Sequence, residues 1–167
     1  MCLMPRMLLP SILSIQAEPL RKAGIKALLL DADNTLFPHK APGADKATLA
    51  KLRELQKSFR LALVTNDSSQ KRRQGLRKHF ASNKIAIYAC RSPSRKPSKA
   101  PFLEAAAALG VSPENCAVAG DNMFTDVLGA NRCGMLSIKV PPVDAASEPW
   151  YFPPMRLAEA ALLLFWK

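Results

Sequence analysis

Four short polar sets in this sequence carry residue types that could do chemistry. The first is Asp31-Ala32-Asp33-Asn34-Thr35, the second Thr65-Asn66-Asp67, the third Arg95-Lys96-Pro97, and the fourth Gly120-Asp121 followed by Asp126. Together they supply carboxylates, a hydroxyl, a side-chain amide and an ammonium. Carboxylates brought close to one another repel unless a cation stands among them. Oxygen donors without His or Cys suit Mg²⁺. A metal charge, a lysine ammonium and a threonine hydroxyl would together stabilise a phosphoryl group under attack. One carboxylate can then be the nucleophile, forming an aspartyl-phosphate. A second, protonated, can donate to the leaving oxygen and afterwards activate water.

Groups this far apart in sequence need a scaffold that gathers them. Five short apolar runs, at 25–30, 60–64, 85–89, 117–119 and 136–140, read as strands. Each is nearly continuous rather than alternating, as in strands buried on both faces. Helices are expected between them at 44–58, 68–79, 98–109 and 124–133, with Gly110 and Gly134 as stop signals. Val111-Ser112-Pro113-Glu114 reads as a turn entering the next strand. The alternation predicts βαβ crossovers and an α/β fold of three layers, α/β/α, around a parallel sheet. In such sheets ligands bind beyond the carboxyl ends of the strands. Each of the four polar sets follows a predicted strand.

The length and composition bound the rest. A chain of 167 residues with 49% hydrophobic content fits a single domain, 1–167. Its net charge of +11 favours anionic partners. Much of that charge is local: Lys71, Arg72, Arg73, Arg77, Lys78, Lys84, Arg91, Arg95, Lys96 and Lys99 are opposed only by Asp67. For Lys71 to Lys78 a solvated helix face is one reading, and a rim that attracts a phosphorylated substrate is the other. No stacking aromatics interleave these residues, Phe80 and Tyr88 being the nearest, which argues against nucleic acid. Cys2, Cys90, Cys116 and Cys133 show no C-x-x-C spacing, and His39 and His79 fit no zinc pattern. Free thiols in a reducing, cytoplasmic compartment are expected. The opening MCLMPRMLLPSILSI is apolar but broken by Pro5, Arg6 and Pro10, and too short to span a bilayer. Residues 1–23 are expected to pack on the domain as an arm, peripheral membrane contact being the alternative. A C-terminal helix at about 154–166, taking in most of the closing AEAALLLFWK, is expected to close the core as an amphipathic element.

The four sets, in this order, resemble the motifs of the haloacid dehalogenase-like (HAD) phosphatases. The first motif of that family, D-x-D-x-T, is matched by Asp31, Asp33 and Thr35. The second, a Ser or Thr ending the next strand, is matched by Thr65. The third, a Lys often followed by Pro, is matched by Lys96-Pro97, and the fourth, an acidic pair, by Asp121 and Asp126. The resemblance implies a Rossmann-like core with Asp31 as nucleophile and Asp33 as general acid/base. It implies Mg²⁺ held by Asp31, the backbone carbonyl of Asp33 and Asp121, with Asp126 supporting the metal site. Thr65, Asn66 and Lys96 would bind the phosphoryl group. Lys99 lies in the same loop and is the other candidate for that lysine, the Lys-Pro pair favouring Lys96.

Relatives with a cap domain insert it between the first and second motifs or between the second and third. Here each gap holds one helix and one strand, so no cap is expected and the site should be open. The segment from Gly24 to Leu36 and the stretch G-D-N-M-F-T-D-V-L-G-A-N-R-C-G at 120–134 are similar to the YqeG-type subfamily, related to mitochondrial phosphatidylglycerophosphate phosphatase. Val140-Pro141, Arg156 and Glu159 also fit. Two departures are Thr65-Asn66-Asp67, where that group has Ser-Asn-Asn, and the long Arg91-Ser92-Pro93-Ser94-Arg95 lead into Lys96. The resemblance implies a phospholipid headgroup phosphate as substrate, met at the inner face of an anionic membrane. The other readings are a soluble phosphatase for a sugar phosphate, nucleotide or phosphoprotein, and a non-catalytic nucleic-acid- or ribosome-associated protein that keeps the fold.

Overall fold

The computed structural model describes residues 3–67, 69–89, 94–150 and 152–164. Its strands are β1 (Met7–Leu8), β2 (Ala27–Leu30), β3 (Arg60–Leu63), β4 (Ile87–Ala89), β5 (Cys116–Gly120) and β6 (Leu136–Lys139). Its helices are α1 (Ala17–Lys22), α2 (Lys46–Leu55), α3 (Gln70–Ser82), α4 (Ala100–Ala108), α5 (Leu128–Arg132) and α6 (Phe152–Leu163). The sheet order is β1-β6-β5-β2-β3-β4, and every pairing is parallel.

All of β2 is buried. Leu28 and Leu30 belong to a core that includes Leu52 and Leu55 of α2 and Leu76 and Phe80 of α3. Ala27 and Leu29 belong to a second core with Phe102, Ala105 and Ala106 of α4. Alternate residues of one extended strand thus face two apolar layers. That is why the strand sequence is continuously apolar.

The chain runs from β2 through β3 to β4, then crosses back to build β5 and β6 on the other side. The order reverses at β2, so the crevice opens at its carboxyl end, flanked by β3 and β5. Among the described residues, only α2 lies between β2 and β3 and only α3 between β3 and β4, with no cap domain. No helix among them is long and apolar enough to cross a membrane.

The five expected strands are present, and β1 is an addition. Two residues are too few to show a pattern; the strand exists because the edge of β6 offers it partners. Arg6 N donates to Ser137 O at 3.0 Å and Leu9 N to Lys139 O at 2.9 Å. The rest of the arm buries Ile12, Ile15 and Leu20.

The helices at 44–58, 68–79 and 98–109 are found with trimmed or shifted ends, and Ser68 lies outside the described residues. Asp45 caps α2 by accepting from Thr48 N at 2.8 Å, and Ser69 caps α3 by accepting from Arg72 N at 3.3 Å. The segment expected as one helix at 124–133 starts instead as a π-turn, Met123–Val127, before α5.

The C-terminal helix also departs from expectation. Its buried residue is Glu159, 3% exposed, whereas Leu157 is 74% and Leu164 83% exposed. It docks through charge as much as through apolar packing. Cys116 and Cys133 are free thiols; Cys2, Cys90 and Arg91 to Pro93 lie outside the described residues.

Candidate active site

Asp31 follows directly on β2 and is 6% exposed. Its Oδ1 accepts from Lys96 Nζ at 2.5 Å, and its Oδ2 from Thr35 Oγ1 at 3.0 Å. Thr35 also lies against the other acidic loop: Asp121 N donates to its Oγ1 at 3.0 Å, and Asp121 Oδ1 is 3.2 Å from it. One hydroxyl therefore sets Asp31 beside Asp121.

Lys96 Nζ reaches on to Asp126 Oδ1 at 2.6 Å. Asp31, Asp121 and Asp126 each offer a carboxylate oxygen within 4.8 Å of the others. It is the one such group of three ligating side chains among the described residues. All three are oxygen donors, so the set fits Mg²⁺ better than a softer ion.

The π-turn carries Asp126 into this group, where its Oδ2 accepts from Asn122 N at 3.2 Å. A Cβ on Gly120 would overlap the Asp126 carboxylate, so the fourth set needs glycine there.

Burial drives the electrostatics. It pushes Asp31 and Asp126 up to about 6, against the opposing charge of Lys96. Asp121 is also raised, by burial and by Asp126, against the pull of Arg156. Burial alone would lower Lys96; the charges of Asp126 and Asp31 outweigh it and hold the ammonium above its ordinary range. The cluster holds more acid than its one lysine neutralises, and additional positive charge there would favour full ionisation.

The structure brings Asp31, Lys96, Asp121 and Asp126 together, and Lys96 is the lysine of the two candidates that lies among the carboxylates. Lys96 is 6% exposed within the cluster. Lys99 is exposed at the start of α4, where its carbonyl accepts from Leu103 N at 3.0 Å.

Asn66 lies behind Lys96 and clips its backbone. Asn66 Oδ1 accepts from Lys96 N at 2.7 Å, and Asn66 Nδ2 donates to Lys96 O at 3.3 Å. Its side chain is thus spent on positioning the lysine. Thr65 is half-buried at the end of β3, its Oγ1 accepting from Asp67 N at 3.1 Å.

Asp33 stands apart from the three clustered carboxylates. Its Oδ1 accepts from Arg72 Nη2 at 3.0 Å and from Lys40 N at 2.9 Å. Arg72 also lies over the Phe37 ring at 5.2 Å and donates to Ala41 O.

Two arginines escaped the sequence reading as site residues. Arg72 belongs to the basic stretch for which a solvated face and a substrate-attracting rim are both open readings, and its neighbours Lys71, Arg77 and Lys78 are exposed. A signal was there: cations in the first turn of a helix oppose its dipole, which points to a carboxylate nearby. Arg156 donates from Nη1 to Asp121 O at 2.6 Å and from Nη2 to Asp121 Oδ2. Its signal was that Arg156 and Glu159 are the only charges in 152–164 and lie three residues apart, on one face.

The family model for haloacid dehalogenase-like hydrolases matches residues 40–134. The chain belongs to the haloacid dehalogenase-like hydrolases. That match begins after Asp31 and Asp33, so their placement rests on the geometry above. The chain is 29% identical over 144 residues to the probable phosphatase YqeG of Bacillus subtilis, covering 86% of this chain and 80% of that protein. It is 28% identical over 151 residues to the chloroplastic phosphatidylglycerophosphate phosphatase 1 of Chlamydomonas reinhardtii, covering 88% of this chain and 56% of that one. The crystal structure of a HAD phosphatase from Thermococcus onnurineus shares the fold, with a TM-score of 0.57 and 17% identity over 76% of this chain and 90% of that one. Family and relatives together make this chain a YqeG-like HAD phosphatase, a phosphomonoester hydrolase.

Proposed function

We propose that this HAD phosphatase is Mg²⁺-dependent, works through an aspartyl-phosphate on Asp31, and acts on the headgroup phosphate of an anionic phospholipid, phosphatidylglycerophosphate being the leading candidate. The observation that carries the chemistry is the convergence of Asp31, Asp121 and Asp126 around one lysine at the carboxyl end of β2. Asp31, Asp121 and the backbone carbonyl of Asp33 would hold Mg²⁺, with Asp126 in support. When bound, the ion supplies charge that keeps these carboxylates ionised and screens the phosphoryl oxygens from the nucleophile.

The rest is the work of the chain. An Asp31 carboxylate oxygen attacks phosphorus, and the bond from phosphorus to the leaving oxygen breaks. That oxygen takes the proton of Asp33. Lys96, held by Asn66 and offering three hydrogens, turns toward the phosphoryl oxygens, and the Thr65 hydroxyl donates to another. Water then attacks the same phosphorus and gives its proton to Asp33. The bond to Asp31 breaks, and inorganic phosphate leaves.

Three observations support a lipid substrate. The crevice has no cap among the described residues, so it can meet a large surface. The side chains of α6 that are exposed, Pro153, Pro154, Leu157, Ala158, Ala160 and Ala161, are all apolar, and Trp150 just before it is 88% exposed. Such a face suits the interfacial zone of a bilayer. The net charge of +11 complements anionic lipid and disfavours self-association through that face. The relative named as a phosphatidylglycerophosphate phosphatase agrees with this reading.

The test is hydrolysis of phosphatidylglycerophosphate in mixed micelles, beside sugar phosphates, nucleotides and p-nitrophenyl phosphate, with and without Mg²⁺. The expected result is turnover that a chelator stops, that Mg²⁺ restores, and that Asp31→Asn abolishes. Equal rates in Asp31→Asn would reject the nucleophile. Faster turnover of the soluble esters than of the lipid would reject the substrate.

A further inference from the structure

Residues 143–150 and the helix α6 that follows touch both acidic loops. On the first loop it holds Asn34, a buried residue at φ +62°. Val143 N donates to Asn34 O at 2.8 Å, Asp144 N to Asn34 Oδ1 at 3.3 Å, and Asn34 Nδ2 to Glu148 Oε1 at 3.1 Å. On the second loop α6 holds three successive residues. Arg156 binds the carbonyl and carboxylate of Asp121, Met155 Sδ accepts from Asn122 Nδ2 at 3.4 Å, and Glu159 Oε1 accepts from Met123 N at 2.5 Å.

Glu148 joins the halves, since it takes both Asn34 and the Arg156 guanidinium. Glu159 adds a third anion to that guanidinium, beside Asp121 and Glu148, at 2.8 Å, and faces the buried Lys139 Nζ at 3.7 Å. The arginine is therefore fixed at several points by its planar fork.

We propose that Val143, Asp144 and Glu148 together with Met155, Arg156 and Glu159 of α6 form a clasp that holds the two acidic loops in register, with Arg156 as the positioning residue that aims Asp121 toward the proposed Mg²⁺ position. Arg156 takes Oδ2 of Asp121, which leaves Oδ1 on the side of Thr35 and Asp31. Without the fork the carboxylate could rotate, and its oxygen would no longer be held beside that of Asp31. The proposal rests on the reading of Asp121 as a Mg²⁺ ligand.

Charge and geometry predict opposite signs here. Removing a cation from beside Asp121 would tighten Mg²⁺ binding if Arg156 acted only through its charge. If it acts by positioning, removal weakens binding, by about tenfold as for other outer-shell partners of metal ligands.

The experiment is calorimetric titration of the full chain with MgCl₂ alone. Arg156→Met should raise the Mg²⁺ dissociation constant about tenfold. Arg156→Lys, which keeps the charge but lacks the fork, should fail to restore it. Because charge alone predicts unchanged binding in Arg156→Lys, that variant carries the test if Arg156→Met does not fold. Unchanged or tighter binding in Arg156→Met, or full rescue by Lys, would overturn the clasp while leaving Asp121 a ligand. No Mg²⁺ binding by the unaltered protein would overturn the cation reading and the clasp with it.

Discussion

The two cations that meet the acidic cluster are held in different ways. Lys96 enters on the Asp31 side, where its ammonium bridges Asp31 and Asp126 and its backbone is clipped by Asn66. Arg156 enters on the Asp121 side, where it is surrounded by Asp121, Glu148 and Glu159. An ammonium is a compact charge with rotatable hydrogens, and it can exchange a carboxylate for a phosphoryl oxygen without moving its stem. A guanidinium with several fixed partners cannot turn without breaking them. The cluster thus has a side suited to chemistry and a side suited to alignment.

Loss of the lysine should be the more damaging. Lys96→Met should lower kcat/KM for p-nitrophenyl phosphate by about 10²–10³-fold, as expected for loss of a charged donor aimed at the reacting group. Mg²⁺ binding should stay the same or tighten, because a competing positive charge has left the carboxylates. Steady-state kinetics beside a MgCl₂ titration check both halves. A fall in Mg²⁺ affinity to match the fall in rate would show that the two sides do the same job, and the contrast would collapse.

The contrast also marks what could be read from the sequence. β2 to β6 follow from apolar runs, and the carboxyl-end rule collects Asp31, Thr65, Lys96, Asp121 and Asp126 without any coordinates. Those residues sit next to a strand or in the loop that follows one, so local pattern places them. Arg156 reaches Asp121 from 35 residues away, on a helix whose apolar composition suggests core packing. The pairing of Arg156 with Glu159 marks a charged face, but nothing local says that this face turns inward and Leu157 outward. Arg72 was hidden differently, among basic neighbours that do face solvent. The edge strand β1 exists only because β6 is there to pair with it. In each case the deciding partner is distant in sequence, and periodicity carries no information about it.

Arg72 tests whether the basic helix has a part in the site. Its hold on Asp33 orients the proposed acid/base from outside the cluster. Arg72→Met should lower kcat by about tenfold, since a misplaced proton donor forfeits part of the benefit of acid/base catalysis. Mg²⁺ half-saturation should not move, which separates it from Arg156→Met. Arg77→Met, on the exposed part of α3, is the control and should leave the rate with a soluble substrate unchanged. Equal losses in both variants would make the effect one of general charge and not of the contact with Asp33.

The smallest effect is expected on the outer face of α6, whose inner face carries Arg156. Leu157 is 74% exposed and makes its contribution only if that face meets a bilayer. Burying it there gains roughly 1 kcal/mol over alanine, so Leu157→Ala should weaken partition onto anionic vesicles about fivefold. Vesicle co-sedimentation measures this directly, while hydrolysis of p-nitrophenyl phosphate should be unchanged because the inner face keeps its hold on Asp121. Unaltered vesicle binding would remove α6 from the membrane contact and leave the basic surface alone to account for it. A fall in the soluble rate would mean that the two faces of the helix are coupled, so that whatever covers Leu157 also sets the position of Arg156.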